Sequence, residues 1–268
     1  MLLLDPDARL VIAHRGDSAH APENTLAAFE RALALGAHAL EFDCRVSADG
    51  VAVVVHDATL DRTTDRRGAV RALTAEALGA VDAGARHAGY AGRGHGVPTL
   101  DQVLEAFPSV PLLIEVKELE ACAAVRATLD RHAALGRVVV ASFRDDAMAY
   151  FRASPYPTGA AQADVAALLR ASLTGGRVAP MYRAASVPPS YRGLPLPLKR
   201  FARLLRPAGV PVHVWTVDDP RAAARLWAGG ISGVVSNDPA AVLAALPGGA
   251  PHAATGAPPA ATPRARNV

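Results

Sequence analysis

In the stretch LVIAHRGDSAHAPENTLAAFERALALGAHALEFDCRVSADGVAVVVHD, residues 10–57, the histidines His14 and His56 and the acids Glu41 and Asp43 are placed to do chemistry around one hairpin. Imidazoles titrate near neutrality, so two of them can hold opposite protonation states at once. His14 and Arg15 follow a short apolar run, Val11 and Ile12, that reads as a buried strand. Glu41 and Asp43 lie two residues apart in the run 39–46, and strand alternation aims both carboxylates at one face. The flanking Ala39, Leu40, Phe42 and Cys44 leave no other polar face, which is odd for a strand that simply faces water. Glu115 and Lys117 repeat the two-residue spacing in LLIEVK, where a structural ion pair is the competing explanation. Three carboxylates, Glu41, Asp43 and Glu115, without thiolates or an imidazole-rich set, make a hard oxygen donor set suited to Mg²⁺ or Ca²⁺ rather than zinc.

The elements that must position these groups can be read outward from the acids. Asp49-Gly50 between two apolar runs is a hairpin signal. As a two-residue turn it pairs Ala48 with Val51 and brings Asp43 opposite His56; a longer turn puts Glu41 there instead. His14 on the neighbouring strand then completes a polar cluster whose burial is costly unless its members pair or hold an ion, and a single divalent cation is the economical explanation. Asn24 is expected to cap a helix carrying Leu26, Phe29, Leu33 and Ala37 at three- and four-residue steps, with Gly36 at its C-terminal cap.

Beyond the hairpin, residues 58–97 are rich in Asp, Arg, Thr and Gly, with a weak helical pattern at 74–81, and read as an excursion over the site, mostly solvated loop. From Pro98 the chain becomes regular. Strands are expected at 112–117, 137–143, 158–161, 178–182, 210–217 and 233–237. Helices are expected at 99–107, 119–134, from Asp145, at 165–171, within 199–206, and at 220–228 and 239–246. Eight nearly continuous apolar strands alternating with helices predict an α/β protein, a (β/α)8 barrel over residues 1–246 with the excursion inserted after the second-strand hairpin. A doubly wound open sheet is the weaker alternative, because no Gly-x-Gly-x-x-Gly follows the first strand. Barrel active sites lie at the C-terminal ends of the strands. His14, Arg15, Glu41, Asp43, Glu115, Lys117 and Trp215 all fall at or near those ends. The other histidines lack that placement and read as surface or core residues.

At 268 residues and 51% hydrophobic content the chain can bury one large core. A net charge of +3 and only 5% aromatic residues argue against a nucleic-acid partner. No apolar run is long enough to span a bilayer, the N-terminus does not resemble a secretory signal, and Cys44 and Cys122 form no disulfide framework, so a cytoplasmic location is expected. Lysine occurs only at Lys117 and Lys199 in an arginine-rich chain, which singles out Lys117. Residues 247–268, rich in Pro, Ala and Gly, are expected to form a disordered tail.

HRG followed by APENTLAAF, then EFDCRVSADGVAVVVHDATLDRTT, VPTLDQVL, IEVK and VWTVD, resembles the glycerophosphodiester phosphodiesterase family from about Leu10 to Leu246. The resemblance implies metal-dependent hydrolysis of a small-molecule glycerophosphodiester to sn-glycerol 3-phosphate and an alcohol. It places the family's metal site at Glu41, Asp43 and Glu115, and its acid and base at His14 and His56 in an order the sequence leaves open. Arg15 and Lys117 would then stabilise phosphoryl charge, and Trp215 would pack on glycerol unless it is a core residue. The nucleophile is water or a neighbouring substrate hydroxyl that first closes a cyclic phosphate. Asp17 and Ser18 depart from the small residues associated with their positions and put an extra negative charge beside the phosphate site. Two other readings stay open: a lysophospholipase D or sphingomyelinase-D-like enzyme, which would want an exposed apolar rim, and a barrel that binds phosphodiesters without turnover.

Overall fold

The computed structural model describes residues 1–246, and the expected tail at 247–268 lies outside them. In chain order the elements are β1 (Leu10–His14), α1 (Leu26–Ala34), β2 (Ala39–Val46), β3 (Ala52–Val54), α2 (Ala75–Gly79), α3 (Leu100–Ala106), β4 (Leu112–Val116), α4 (Cys122–Arg131), β5 (Val138–Ala141), α5 (Asp145–Arg152), α6 (Gln162–Thr174) and β6 (Ala185–Val187). They continue with β7 (Ser190–Tyr191), β8 (Leu194–Pro195), α7 (Leu198–Leu205), β9 (Val212–Trp215), α8 (Pro220–Ala228), β10 (Gly233–Ser236) and α9 (Pro239–Leu243). The main sheet runs β5-β4-β2-β1-β10-β9-β6 with every neighbour on that path parallel, and β3 hangs antiparallel on β2.

The gap between β5 and β6 is bridged by residues 157–160, through pairings Val140 with Thr158 and Gly159 with Ala184. Seven strands and this short stave close an α/β barrel. The stave expected at 158–161 is thus reduced to isolated bridges. The one expected at 178–182 is absent, and the strand forms instead at Ala185–Val187. Pro180 lacks the N–H that a central strand must donate, whereas Ala185 N–H reaches Pro211 O at 2.9 Å.

Strand alternation sorts the side chains into layers. Even positions of β1 and odd positions of β2, β4, β5 and β10 turn inward, where Leu10, Ile12, Ala39, Leu113, Val139 and Val235 pack with Leu3 and Ala184. Their neighbours Leu40, Phe42, Leu112, Ile114, Val138 and Val140 turn outward under the helices. There Phe29 of α1 meets Phe42 at a ring separation of 5.4 Å and Phe107 edge-on at 6.1 Å, fixing α1 against the strand that carries the acids. The excursion is more ordered than a solvated loop. Val70, Leu78, Val81 and Val97 form an apolar cluster of their own with Val53, Val55 and Leu60, and α2 lies within the expected helical stretch.

One inward position at the floor of the barrel holds a histidine. His213 is fully buried, with Nε2 3.0 Å from Leu3 O, and burial pushes its pKa down to about 4. The folded value lies below the ordinary one. This contribution to stability is therefore present above pH 6.5 and lost as pH falls towards 4. The full loss is about 3 kcal/mol. Urea unfolding followed across that window should show it, and His213→Gln, which keeps a donor for Leu3 O, should flatten it. An equally steep loss in the variant would place the sensitivity elsewhere.

Candidate active site

Parallel pairing places the candidate groups at two successive inward positions near the strand ends: His14 of β1 is in register with Glu41 of β2, and Asp43 of β2 with Glu115 of β4. Asp43 lies deepest, with no exposed surface. The Lys117 ammonium stands 3.0 Å from Asp43 Oδ1 and 2.9 Å from Glu115 Oε1, and Arg15 Nε stands 3.0 Å from Asp43 Oδ2. Neither contact to Asp43 is a well-aligned hydrogen bond, so among the described residues Asp43 Oδ1 is held chiefly by the charge of Lys117. Asn24 supplies the other oxygen, donating from Nδ2 to Asp43 Oδ2 at 2.9 Å.

The electrostatics separate the acids. Burial works to raise the Asp43 pKa, yet Lys117, Arg15 and the Asn24 hydrogen bond outweigh it and hold the carboxyl below the usual range. Glu41 goes the other way: burial first, then the charges of Asp43 and Glu115, push its carboxyl well above that range. Burial also raises Glu115. Among the described residues, Glu41 Oε2 meets the Arg15 backbone N–H at 3.3 Å and His14 Nε2 at 3.9 Å. One oxygen from each of Glu41, Asp43 and Glu115 lies within 4.8 Å of the others, a spacing a single ion can span. The donor set, the buried Asp43 oxygen and the uncompensated Glu41 together fit a hard divalent cation.

A cleft of about 230 Å³ opens over this cluster, lined by the polar His14, Arg15, Glu41, His56, Glu115 and Lys117 and by apolar side chains that include Leu113, Phe143 and Trp215. His56 reaches it although the hairpin register differs from expectation. The ladder pairs Cys44 with Val54 and Val46 with Ala52 around a three-residue turn, which brings Asp43 level with Val55 and carries His56 one step past it. Ser47 causes the shift. Its hydroxyl accepts from Val51 N–H at 3.0 Å while Gly50 adopts the left-handed φ of +78° that such a turn needs.

Each histidine has a fixed partner at Nδ1: Asn237 Oδ1 at 2.6 Å for His14 and Asp57 Oδ1 at 2.6 Å for His56. Burial and then Arg15 lower the His14 pKa. Partial burial works to raise Asp57, but hydrogen bonds from Arg62 and His56 bring it down to about 2, so it stays a carboxylate. Arg62, from the excursion, also holds Glu23 at 2.7 and 2.8 Å, and Glu23 in turn accepts from Arg15 Nη1 at 2.9 Å. The RTT segment therefore braces the rim through Arg62. Trp215 lines the cleft while packing against the inner core cluster, and it meets Phe143 edge-on at 5.4 Å.

Several site residues escaped the sequence. Asn24 is not the helix cap. Thr25 is, accepting from Ala28 N–H at 3.3 Å, while Asn24 takes a left-handed φ of +59° that turns its amide onto Asp43. Asn237 extends the inward alternation of β10 by one step, a signal the sequence did contain. Asp17 adds no charge to the cleft, for it is fully buried against Arg31 and, at 3.0 Å, His20. The Gly16 turn also has no room for a side chain: a Cβ there would sit 2.6 Å from the Ala28 backbone, and its φ is +86°.

An α/β barrel whose mouth gathers two oriented imidazoles, three acids and two half-buried cations is suited to hydrolysis of an anionic ester. Residues 14–241 match the model of the glycerophosphoryl diester phosphodiesterase family, and the chain belongs to that family. It is 30% identical over 243 residues to a glycerophosphodiester phosphodiesterase of Caldanaerobacter subterraneus, covering 87% of this chain and 96% of that one. Among solved structures it superposes on a glycerophosphodiester phosphodiesterase from Agrobacterium tumefaciens with a TM-score of 0.72 at 26% identity, covering 87% and 98% of the two chains. A phosphodiesterase of Oleispira antarctica, solved with the product sn-glycerol-3-phosphate, gives a TM-score of 0.72 at 27% identity, covering 88% and 96%.

The Asn24 contact can be tested directly. Asn24→Ala should cost roughly 1–3 kcal/mol in urea unfolding, because a buried Asp43 oxygen loses its donor. Wild-type stability in the variant would show that Asp43 does not depend on it.

Proposed function

We propose that this protein hydrolyses glycerophosphodiesters to sn-glycerol 3-phosphate and a free alcohol, with His14 and His56 as its acid–base pair. The observation that carries the reading is their meeting in one cleft at the edge of the Glu41, Asp43 and Glu115 cluster. Both rings are held at Nδ1, which leaves Nε2 for the reaction: one takes the proton of the attacking water as its oxygen bonds to phosphorus, and the other gives a proton to the alkoxide that departs. Arg15 and Lys117, fixed by their acidic partners, face the remaining phosphoryl oxygens and stabilise charge there. Trp215, braced by Phe143, offers an apolar wall for the glycerol carbons.

Glu41, Asp43 and Glu115 would hold Mg²⁺ or Ca²⁺, whose chemistry there is to polarise a phosphoryl oxygen. Among the described residues no helix is long and apolar enough to cross a membrane. We assign the protein to the cytoplasm, a reading supported by two buried cysteines that stay unpaired.

Supplied with Mg²⁺ or Ca²⁺, the purified protein should release sn-glycerol 3-phosphate from glycerophosphocholine or glycerophosphoethanolamine, and excess chelator should stop it. His14→Ala and His56→Ala should each lose roughly 10²–10⁴-fold in kcat with the fold intact by circular dichroism. Preference for lysophospholipids would move the substrate assignment. No turnover of any phosphodiester would leave only a binding role.

A further inference from the structure

β10 ends at Ser236, and the next residue, Asn237, presents its side chain to His14, with Oδ1 2.6 Å from ring Nδ1. Which end of the amide faces the ring is decided by its other partners. Asp218, just beyond β9, accepts from Asn237 Nδ2 at 2.9 Å, from the Asn237 backbone N–H at 2.7 Å and from Ser236 Oγ at 2.8 Å. Partial burial works to raise the Asp218 pKa, but hydrogen bonds from Asn237 and Ser236 keep it below the usual range. An ionised carboxylate only accepts, so the NH₂ end of Asn237 turns to Asp218 and the carbonyl end to His14. A carbonyl also only accepts. The His14 nitrogen facing it must therefore carry hydrogen, and in the neutral ring Nε2 is left as a bare lone pair towards the cleft.

We infer that Asp218, acting through Asn237, fixes the tautomer of His14, which makes both of them positioning residues for the reaction. The inference rests on the reading of His14 as an acid–base group. Replacing Asp218 by an amide removes the demand for a donor. Asn237 can then turn its NH₂ to Nδ1, and the ring proton moves to Nε2, the nitrogen that must meet the reacting atoms. A ring in the wrong tautomer keeps its place and loses its function.

Long-range ¹H–¹⁵N spectra of the cation-loaded full chain, at a pH where the ring is neutral, test this, with His14 signals identified by their loss in His14→Ala. Wild-type protein should show Nδ1 protonated. Asp218→Asn should shift signal towards the Nε2-protonated form and lower kcat on the order of 10²–10⁴-fold, with KM changed by no more than about threefold. Ser236→Ala, which removes one bond to Asp218 without freeing the amide, should leave the tautomer unchanged and kcat within about twofold. Wild-type His14 protonated at Nε2 overturns the proposal even if no variant folds. So does Asp218→Asn with full kcat, or a loss in Ser236→Ala as large as in Asp218→Asn. An active His14→Ala would instead overturn the acid–base reading beneath it.

Discussion

The barrel mouth is governed by a buried charge imbalance. Asp43, with no exposed surface, is shared between Lys117 and Arg15, and Glu115 takes the other side of Lys117. These two cations face three carboxylates, and Glu41 is the one left over. Burying an uncompensated carboxylate costs several kcal/mol, and the protein has two ways to avoid that: a proton on Glu41, as its raised pKa indicates, or a cation among the three acids. The second would also help to order an anionic substrate. The architecture around the cluster serves to hold it: the left-handed Asn24 on Asp43, the tight Gly16 turn against α1 and the Phe29–Phe42 contact behind β2.

A second layer of interactions orients the two imidazoles, and the two differ in kind. His56 leans on a carboxylate, Asp57, which Arg62 ties to Glu23 and so to Arg15 across the rim. His14 leans on a neutral amide whose direction is set by Asp218. The excursion after the hairpin contributes to the first of these networks. Its own apolar cluster keeps Arg62 in place, so a segment that looks like solvated loop by composition becomes part of the frame of the site.

What the sequence makes legible follows from local rules. The bounds of β2 at Ala39–Val46 and of α8 at Pro220–Ala228 are as expected, because alternation and an Asp-Pro helix start are local signals. Glu41, Asp43, Glu115 and Lys117 are legible for the same reason: two-residue spacing near a strand end fixes both face and level. The misses are decided by particular side-chain contacts that periodicity and composition do not encode. Asn24 looks like a cap until Asp43 calls its amide away. The hairpin turn gains a residue because of the Ser47 hydroxyl, and the sixth stave moves from 178–182 to Ala185–Val187, where β9 offers partners. The link from Asp218 to His14 joins residues far apart in sequence, and no local pattern announces it.

The central claim is that one divalent cation sits among Glu41, Asp43 and Glu115. Anomalous diffraction from a crystal grown with Mn²⁺ tests it most directly. The account predicts a single strong peak within bonding distance of an oxygen from each of the three acids. A peak instead at the second acidic cluster of the described residues, Asp17, His20 and Asp238, or no peak near Glu41 at saturating Mn²⁺, would contradict it.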